Sequence, residues 1–180
     1  MKKLIAILFT GLLAFALFAC NDNPPDPTGN TPTTQSSPGA AQDIYFAPKG
    51  VHIEMGAAPA PVLDALKDAL GEPLKIFPSK SCALNAEDIN YKYQGFELTV
   101  TYPERGEDYI TGVRLLTDDY ATPGGVRVKG TFEEVLAAYG TDYEENSGEY
   151  TYSQGLSRLK FMIIDGKAEQ IIYEYDFLNA

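Results

Sequence analysis

The chain has no tryptophan, one histidine (His52), two cysteines (Cys20 and Cys82) and few bases: 14 Lys plus Arg stand against 25 Asp plus Glu in 180 residues. Each shortage excludes something. With a single imidazole, neither a His-rich zinc site nor a relay through paired histidines can be built. No phosphate-cradling glycine loop, nucleophile elbow or zinc-ligand spacing occurs. We therefore expect no catalytic activity, no cofactor and no metal. The acidic excess repels phosphate backbones, which excludes nucleic acid as a partner, and it repels anionic headgroups, so any membrane attachment must be covalent. Apolar material is not scarce: 44% of residues are hydrophobic and 12% aromatic, enough for a folded core.

The N-terminus joins Lys2 and Lys3 to an apolar run, residues 4–19, that ends in Leu17-Phe18-Ala19-Cys20. A cationic head followed by an apolar stretch is the layout of a secretory signal. Its end resembles the lipobox of bacterial lipoproteins. That resemblance implies removal of residues 1–19, acylation of Cys20, and a protein held by lipid on the outer face of the cytoplasmic membrane, or in the outer membrane of a diderm. More than one acyl chain gives stable anchoring. The mature chain then holds 12 bases against 25 acids, a formal charge of −13. After Cys20, residues 21–43 contain five Pro, two Gly, four Thr and two Ser, and no base. Such a segment buries too little to offset its ordering entropy and reads as a tether. Fully extended it reaches roughly 70 Å.

Residues 44–180 are expected to form an α+β domain made of two copies of one plan, about 44–119 and 120–180. Val62, Leu63, Leu66, Ala69 and Leu70 make one helical stripe ended by Gly71; Phe132, Val135, Leu136 and Tyr139 make another ended by Gly140. Thr131 and Glu134 are spaced as a capping box. After the helices, Tyr91-Lys92-Tyr93-Gln94-Gly95-Phe96 lines up with Tyr150-Thr151-Tyr152-Ser153-Gln154-Gly155-Leu156, each reading as strand, turn and strand. Phe96, Leu98, Val100 and Tyr102 alternate with polar residues, as Leu159, Phe161 and Ile163 do. Asp165-Gly166 signals a tight hairpin between 159–164 and 168–175, and residues 104–108 form a looser turn. Ahead of the helices, Val51-His52-Ile53-Glu54-Met55-Gly56 aligns with Val126-Arg127-Val128-Lys129-Gly130. Each copy is thus a short strand, one helix and about three antiparallel strands, with the helices on one face of a shared sheet.

Gly130-Thr131-Phe132-Glu133-Glu134-Val135 with Gly140 resembles the helix motif of the SmpA/OmlA envelope lipoproteins, and the first copy keeps Leu70-Gly71-Glu72-Pro73. The tandem arrangement is similar to the β-lactamase-inhibitor-protein fold. Ser81-Cys82-Ala83 and Thr122-Pro123-Gly124-Gly125-Val126 resemble lipoproteins of anaerobic Gram-positive bacteria, a likeness that implies no activity.

Few side chains invite chemistry. Cys82, the one thiol left after lipidation of Cys20, reads as a small buried hydrophobe. His52 alternates with Val51 and Ile53 and is expected in solvent. Residues 142–149 are acidic, but their Gly falls at the wrong place for an EF-hand, so a polar loop between helix and strand is expected. Twelve tyrosines are the one enrichment. Tyr91 and Tyr93, and Tyr150 and Tyr152, occupy matching places, and a spacing of two turns both rings of a pair to one side of their strand. They either pack beneath the helices or line an exposed sheet face, where tyrosine suits binding. On the second alternative these four tyrosines are the candidate binding face for an envelope or secreted protein. The rival expectation is an acidic domain that binds a small ligand or Ca²⁺.

Overall fold

The structure, a computed structural model, describes residues 43–81 and 86–177. Cys20 and Cys82, with the signal and tether readings, lie outside the described residues. Among those described, no helix is long and apolar enough to cross a membrane.

Among the described residues two α-helices and eight strands follow a 3₁₀ turn (Pro48–Gly50), as α1 (Pro59–Leu70), β1 (Lys75–Ser81), β2 (Ala86–Lys92), β3 (Phe96–Pro103), β4 (Tyr109–Leu115), α2 (Phe132–Tyr139), β5 (Glu144–Asn146), β6 (Glu149–Gln154), β7 (Ser157–Ile164) and β8 (Lys167–Tyr175). The fold is α+β, with all strands in one antiparallel sheet ordered β1-β2-β3-β4-β8-β7-β6-β5. Each helix thus precedes a four-stranded meander rather than about three strands. The two extra strands are the sheet's edges. β1 carries Pro78, which has no N–H to donate and is tolerated only on an edge, and β5 is three exposed polar residues.

Local chemistry sets the element ends. Thr131 Oγ1 accepts from the Glu134 N–H at 3.2 Å while Glu134 Oε2 accepts from the Thr131 N–H at 2.8 Å, the capping box read from the sequence. The first helix has no side-chain cap; Pro59 instead supplies a preset φ and lacks the N–H that would otherwise be orphaned. Gly71 (φ 81°) and Gly140 (φ 80°) take the left-handed position that closes each helix. Asp165 and Gly166, both at positive φ, make the two-residue turn between β7 and β8.

The sheet buries one face. Two side-chain rows cross it: Tyr91–Leu98–Val113–Tyr173–Leu159–Tyr152, and Tyr93–Phe96–Leu115–Ile171–Phe161–Tyr150. Their central members are buried and join Leu66 of α1, Val135 and Tyr139 of α2, and Phe46, Ile53, Met55, Val126 and Val128 from the segments ahead of the helices in a single core. Tyr139 packs on Tyr152 and Phe161 with ring centroids 5.4 and 5.5 Å apart, and Phe132 lies 4.4 Å from Tyr150.

The segments leading into the helices dock alike. The Gly56 N–H donates to the Ile110 carbonyl (2.8 Å) and the Ile110 N–H to Ala57 (3.0 Å); the Lys129 N–H donates to Ala168 (2.8 Å) and the Ala168 N–H to Gly130 (2.8 Å). Gly56 and Lys129 both sit at positive φ, 82° and 72°. The β3–β4 and β7–β8 ladders each slip register by one residue, at Thr99/Val100 and Met162/Ile163.

Candidate functional site

The four tyrosines do not form an exposed face. Register decides it: Tyr91 lies opposite Leu98, and Tyr150 and Tyr152 lie opposite Phe161 and Leu159, so all point to the helix-covered side. Tyr93 (4% exposed) and Tyr152 (5%) are core residues, while Tyr91 and Tyr150 are half-buried at its rim. They close the ends of the two core rows. The Tyr91 and Tyr102 hydroxyls meet at 3.1 Å, and Tyr152 donates to the Gly140 carbonyl at 2.9 Å. Burial pushes the Tyr152 phenol up to about 12, helped by Tyr143 and Tyr139, and raises Tyr93 and Tyr102 above their ordinary range. These are structural tyrosines.

What the sheet leaves uncovered is its other face, on which no helix of the described residues packs its buried side chains. One row runs Lys75–Lys92–Glu97–Arg114–Ile172–Lys160–Thr151–Glu144, and the next runs Phe77–Asn90–Thr99–Gly112–Glu174–Arg158–Ser153. Apart from Phe77 and Ile172 the two rows are polar. Over β1–β4 the side chains are cross-linked. Asn90 donates to Ser79 Oγ (2.9 Å) and accepts from Thr99 (2.9 Å); Thr101 reaches Asp88 at 2.6 Å and Thr111 at 3.0 Å. Thr101 is 1% exposed, so these bonds satisfy a buried hydroxyl. Over β6–β8 charge replaces hydroxyls. Lys160 Nζ sits 2.6 Å from Glu174 and 3.5 Å from Glu149, and Arg158 pairs with Asp176. Burial alone would lower the Lys160 ammonium, but Glu174 and Glu149 outweigh it and hold the pKa above the ordinary lysine value. Gly112 sits mid-face, where an added Cβ would meet the Tyr173 carbonyl at 3.2 Å. The alternation of Glu97, Thr99 and Thr101 with the core residues of β3 marks this wet face in the sequence, but the aromatic enrichment drew the candidate binding residues to the tyrosines instead.

The other sequence candidates stand apart from it. His52 is exposed, its ring 4.3 Å from that of Tyr45 and its Nε2 2.9 Å from Glu54 Oε1. With Asp43, Met55 and Gln154 these residues line a cleft of about 370 Å³. There the Gln154 side-chain amide clamps the incoming chain: its oxygen accepts from the Ile44 N–H (2.9 Å) and its nitrogen donates to Asp43 (3.1 Å). The acidic run 142–149 is a hairpin rather than a loop. Glu144–Asn146 pairs with β6 around Ser147-Gly148, and Glu145 accepts from the Gly148 N–H at 3.0 Å. Among the described residues no group of three or more His, Cys, Asp or Glu side chains converges as a metal site would require.

Fold and face define an α+β domain whose one antiparallel sheet carries, among the described residues, both helices on one side and a polar, hydrogen-bonded face on the other. No known family profile matches the chain, and no curated protein matches it. Among solved structures it is similar to the crystal structure of a DUF4309 family protein (YjgB) from Bacillus subtilis subsp. subtilis strain 168. The identity is 17% and the TM-score 0.33, over 62% of this chain and 76% of that one.

Proposed function

We propose that this chain is a lipid-anchored, extracytoplasmic binding or scaffolding lipoprotein without catalytic activity, and that its protein partner docks on the uncovered polar face of the sheet. The observation that carries the reading is the two-sidedness of the sheet. One face takes both helices and the core; the other spans the eight strands, is partly hydrogen-bonded within itself, and carries no helix of the described residues. The Asn, Thr and Ser side chains bonded to one another on this face lose little conformational entropy when covered. The lipobox ending at Cys20 and the Pro- and Thr-rich tether support presentation of this face beyond a membrane surface.

In the same reading the domain is a tandem repeat, in the manner of the β-lactamase-inhibitor-protein fold that the sequence resembles. Three observations favour it. The strand order is the same from either edge inward, with β4 and β8, the fourth strand of each meander, meeting at the centre. Across that junction Val113 opposes Tyr173 and Leu115 opposes Ile171, pairs that a two-fold axis between Arg114 and Ile172 would exchange. The same axis matches Gly56 with Lys129 in their bonds to Ile110 and Ala168, and Tyr91 and Tyr93 with Tyr150 and Tyr152 in the core rows.

Two measurements test the proposal. Intact mass of the protein from its native membrane should equal residues 20–180 plus lipid, and Cys20→Ser should abolish the shift; a soluble mature chain with a free Cys20 thiol would overturn the anchor. For the face, a photocrosslinking residue is placed in cells at Thr99 or Lys160, and at Asp64 or Asp68 on the exposed side of α1. A discrete adduct from the sheet positions alone is expected. Equal adducts from both sides, or adducts from α1 alone, would overturn the docking face.

A further inference from the structure

Where β4 begins and β8 ends, apart from the His52 cleft, the surface holds an open cavity of about 320 Å³. Tyr109 and Tyr175 meet there edge to face, their ring centroids 5.5 Å apart and their planes at 63°. Phe177 adds a third ring, and Glu107 and Asp108, both exposed, complete the lining. Gly56 lets the rings close up: a Cβ on it would lie 2.6 Å from Tyr175 Cε2. The volume is that of a small-molecule site.

Its charge is one-sided. Aromatic faces are electron-rich, and neither Glu107 nor Asp108 has an ion-pair partner among the described residues. The start of α1 lies beside the cavity, but Pro59 and Pro61 lack two of the N–H groups through which a helix end would recruit an anion. A bare metal ion is equally ill-served, because among the described residues no third His, Cys, Asp or Glu joins the two carboxylates. Lys129, whose backbone bonds to Ala168 as that of Gly56 does to Ile110, brings an ammonium that pairs with Glu169; Gly56 brings none.

We propose that this cavity binds a small organic cation of the alkylammonium class, its carbon surface on Tyr109, Tyr175 and Phe177 and its charge facing Glu107 and Asp108. Aromatic walls favour such a cation through the ring quadrupole, and the carboxylates add direct attraction.

The test uses the full chain in detergent, titrated with tetramethylammonium chloride by calorimetry and by thermal melts. Sodium chloride at equal ionic strength and tert-butanol, a neutral molecule of similar shape, serve as controls. Saturable binding of millimolar order is expected, with a rise in Tm that neither control gives. Glu107→Gln/Asp108→Asn should weaken the affinity about tenfold, as should Tyr109→Leu, whereas Asp64→Asn/Asp68→Asn on α1 makes the same charge change and should leave it intact. If Tyr109→Leu does not melt cooperatively, the double amide variant decides. Absence of saturable binding, a Tm response equal to that of sodium chloride, or equal losses from the cavity and α1 amide variants would each overturn the proposal.

Discussion

Tyr173→Phe removes one oxygen atom from the centre of the core and should make the protein more stable. Tyr173 is fully buried, and its hydroxyl has no hydrogen-bond partner among the described residues. Burial holds that phenol well above its ordinary pKa, with Tyr139 and Tyr45 adding to the shift. A buried hydroxyl that has surrendered water and found no partner costs about 1–3 kcal/mol. Deleting it recovers that cost less the small void left by one oxygen atom, so a gain of about 1 kcal/mol is expected, worth about 3–5 °C in Tm for a domain of this size. Tyr139→Phe is the matched control. It deletes the same atom from another buried tyrosine, but the Tyr139 hydroxyl accepts from the Gly124 N–H at 3.1 Å. That amide would be orphaned, and a loss of about 1–2 kcal/mol follows. The assay is urea unfolding followed by far-UV circular dichroism, with the slope m compared so that a midpoint shift reads as stability. Opposite signs for the two variants are the expected result. If Tyr173→Phe destabilises the protein as much as Tyr139→Phe, the Tyr173 hydroxyl has a partner and the reasoning fails.

Lys129 holds a left-handed backbone (φ 72°) that costs a side-chain-bearing residue about 1–2 kcal/mol, so Lys129→Gly should be more stable than Lys129→Ala by about 1 kcal/mol in the same unfolding assay; the usual order, Ala above Gly, would contradict it. Thr131→Ala removes one arm of the capping box and should cost about 1 kcal/mol, whereas Ala58→Ser, at the uncapped start of α1, should gain up to that amount; equal and negligible effects would show that caps do not limit this fold. Alkaline stability follows from the buried phenols. Burial raises Tyr93, Tyr139, Tyr152 and Tyr173, with Tyr152 at about 12, so these groups ionise in the unfolded chain before they do in the folded one. Stability is intact below the unfolded tyrosine value near pH ~10 and falls as pH rises from there through about 12, by about 1.4 kcal/mol per pH unit for each such tyrosine. The half-buried tyrosines should ionise first, and the last part of the tyrosinate absorbance should rise together with loss of dichroism; ionisation of all twelve tyrosines in a still-folded protein would refute the burial of these four.

The parts of the fold that were legible in the sequence are those whose local chemistry has one outcome. A Thr-x-x-Glu box, two helix-ending glycines and Asp165-Gly166 each specify a conformation without help from distant residues. Strands β1 and β5 were not legible, because edge strands have no second neighbour to impose alternation: β1 runs through Pro78 and β5 is Glu-Glu-Asn. The orientation of the tyrosines was recoverable but required register. With Gln94-Gly95 as the turn, Tyr93 must oppose Phe96 and Tyr91 must oppose Leu98, which puts both with the apolar set. Glycine also misled: the sequence aligns Gly56 with Gly130, whereas the backbone bonds match Gly56 with Lys129. A lysine in a left-handed position gives no sequence signal, since its strain is held by the structure around it.

The distribution of charge bears on what approaches the uncovered face. Of the chain's 14 bases, Lys75, Lys92, Arg114, Arg158 and Lys160 lie on that one face. They stand among Asp88, Glu97, Glu144, Glu149 and Glu174, so the face is near neutral on a chain whose formal charge is −11. Repulsion between exposed charges fades beyond roughly 8 Å at physiological salt, so what a docking partner feels at contact is the local face and not the total charge. The rest of the surface repels other acidic proteins and anionic headgroups, which disfavours side-on association and contact with the membrane itself. The face left neutral is also the one on which no helix of the described residues packs. A partner that buries it meets side chains already hydrogen-bonded to one another, and so gives up little by covering them. On this reasoning, reversing two of these bases, as in Lys92→Glu/Arg114→Glu, should weaken partner capture strongly and make it salt-dependent. The same reversal at Lys49 and Lys67, both exposed and off that face, should leave capture unchanged. Equal losses from the two pairs would mean that total charge, and not the face, governs the encounter.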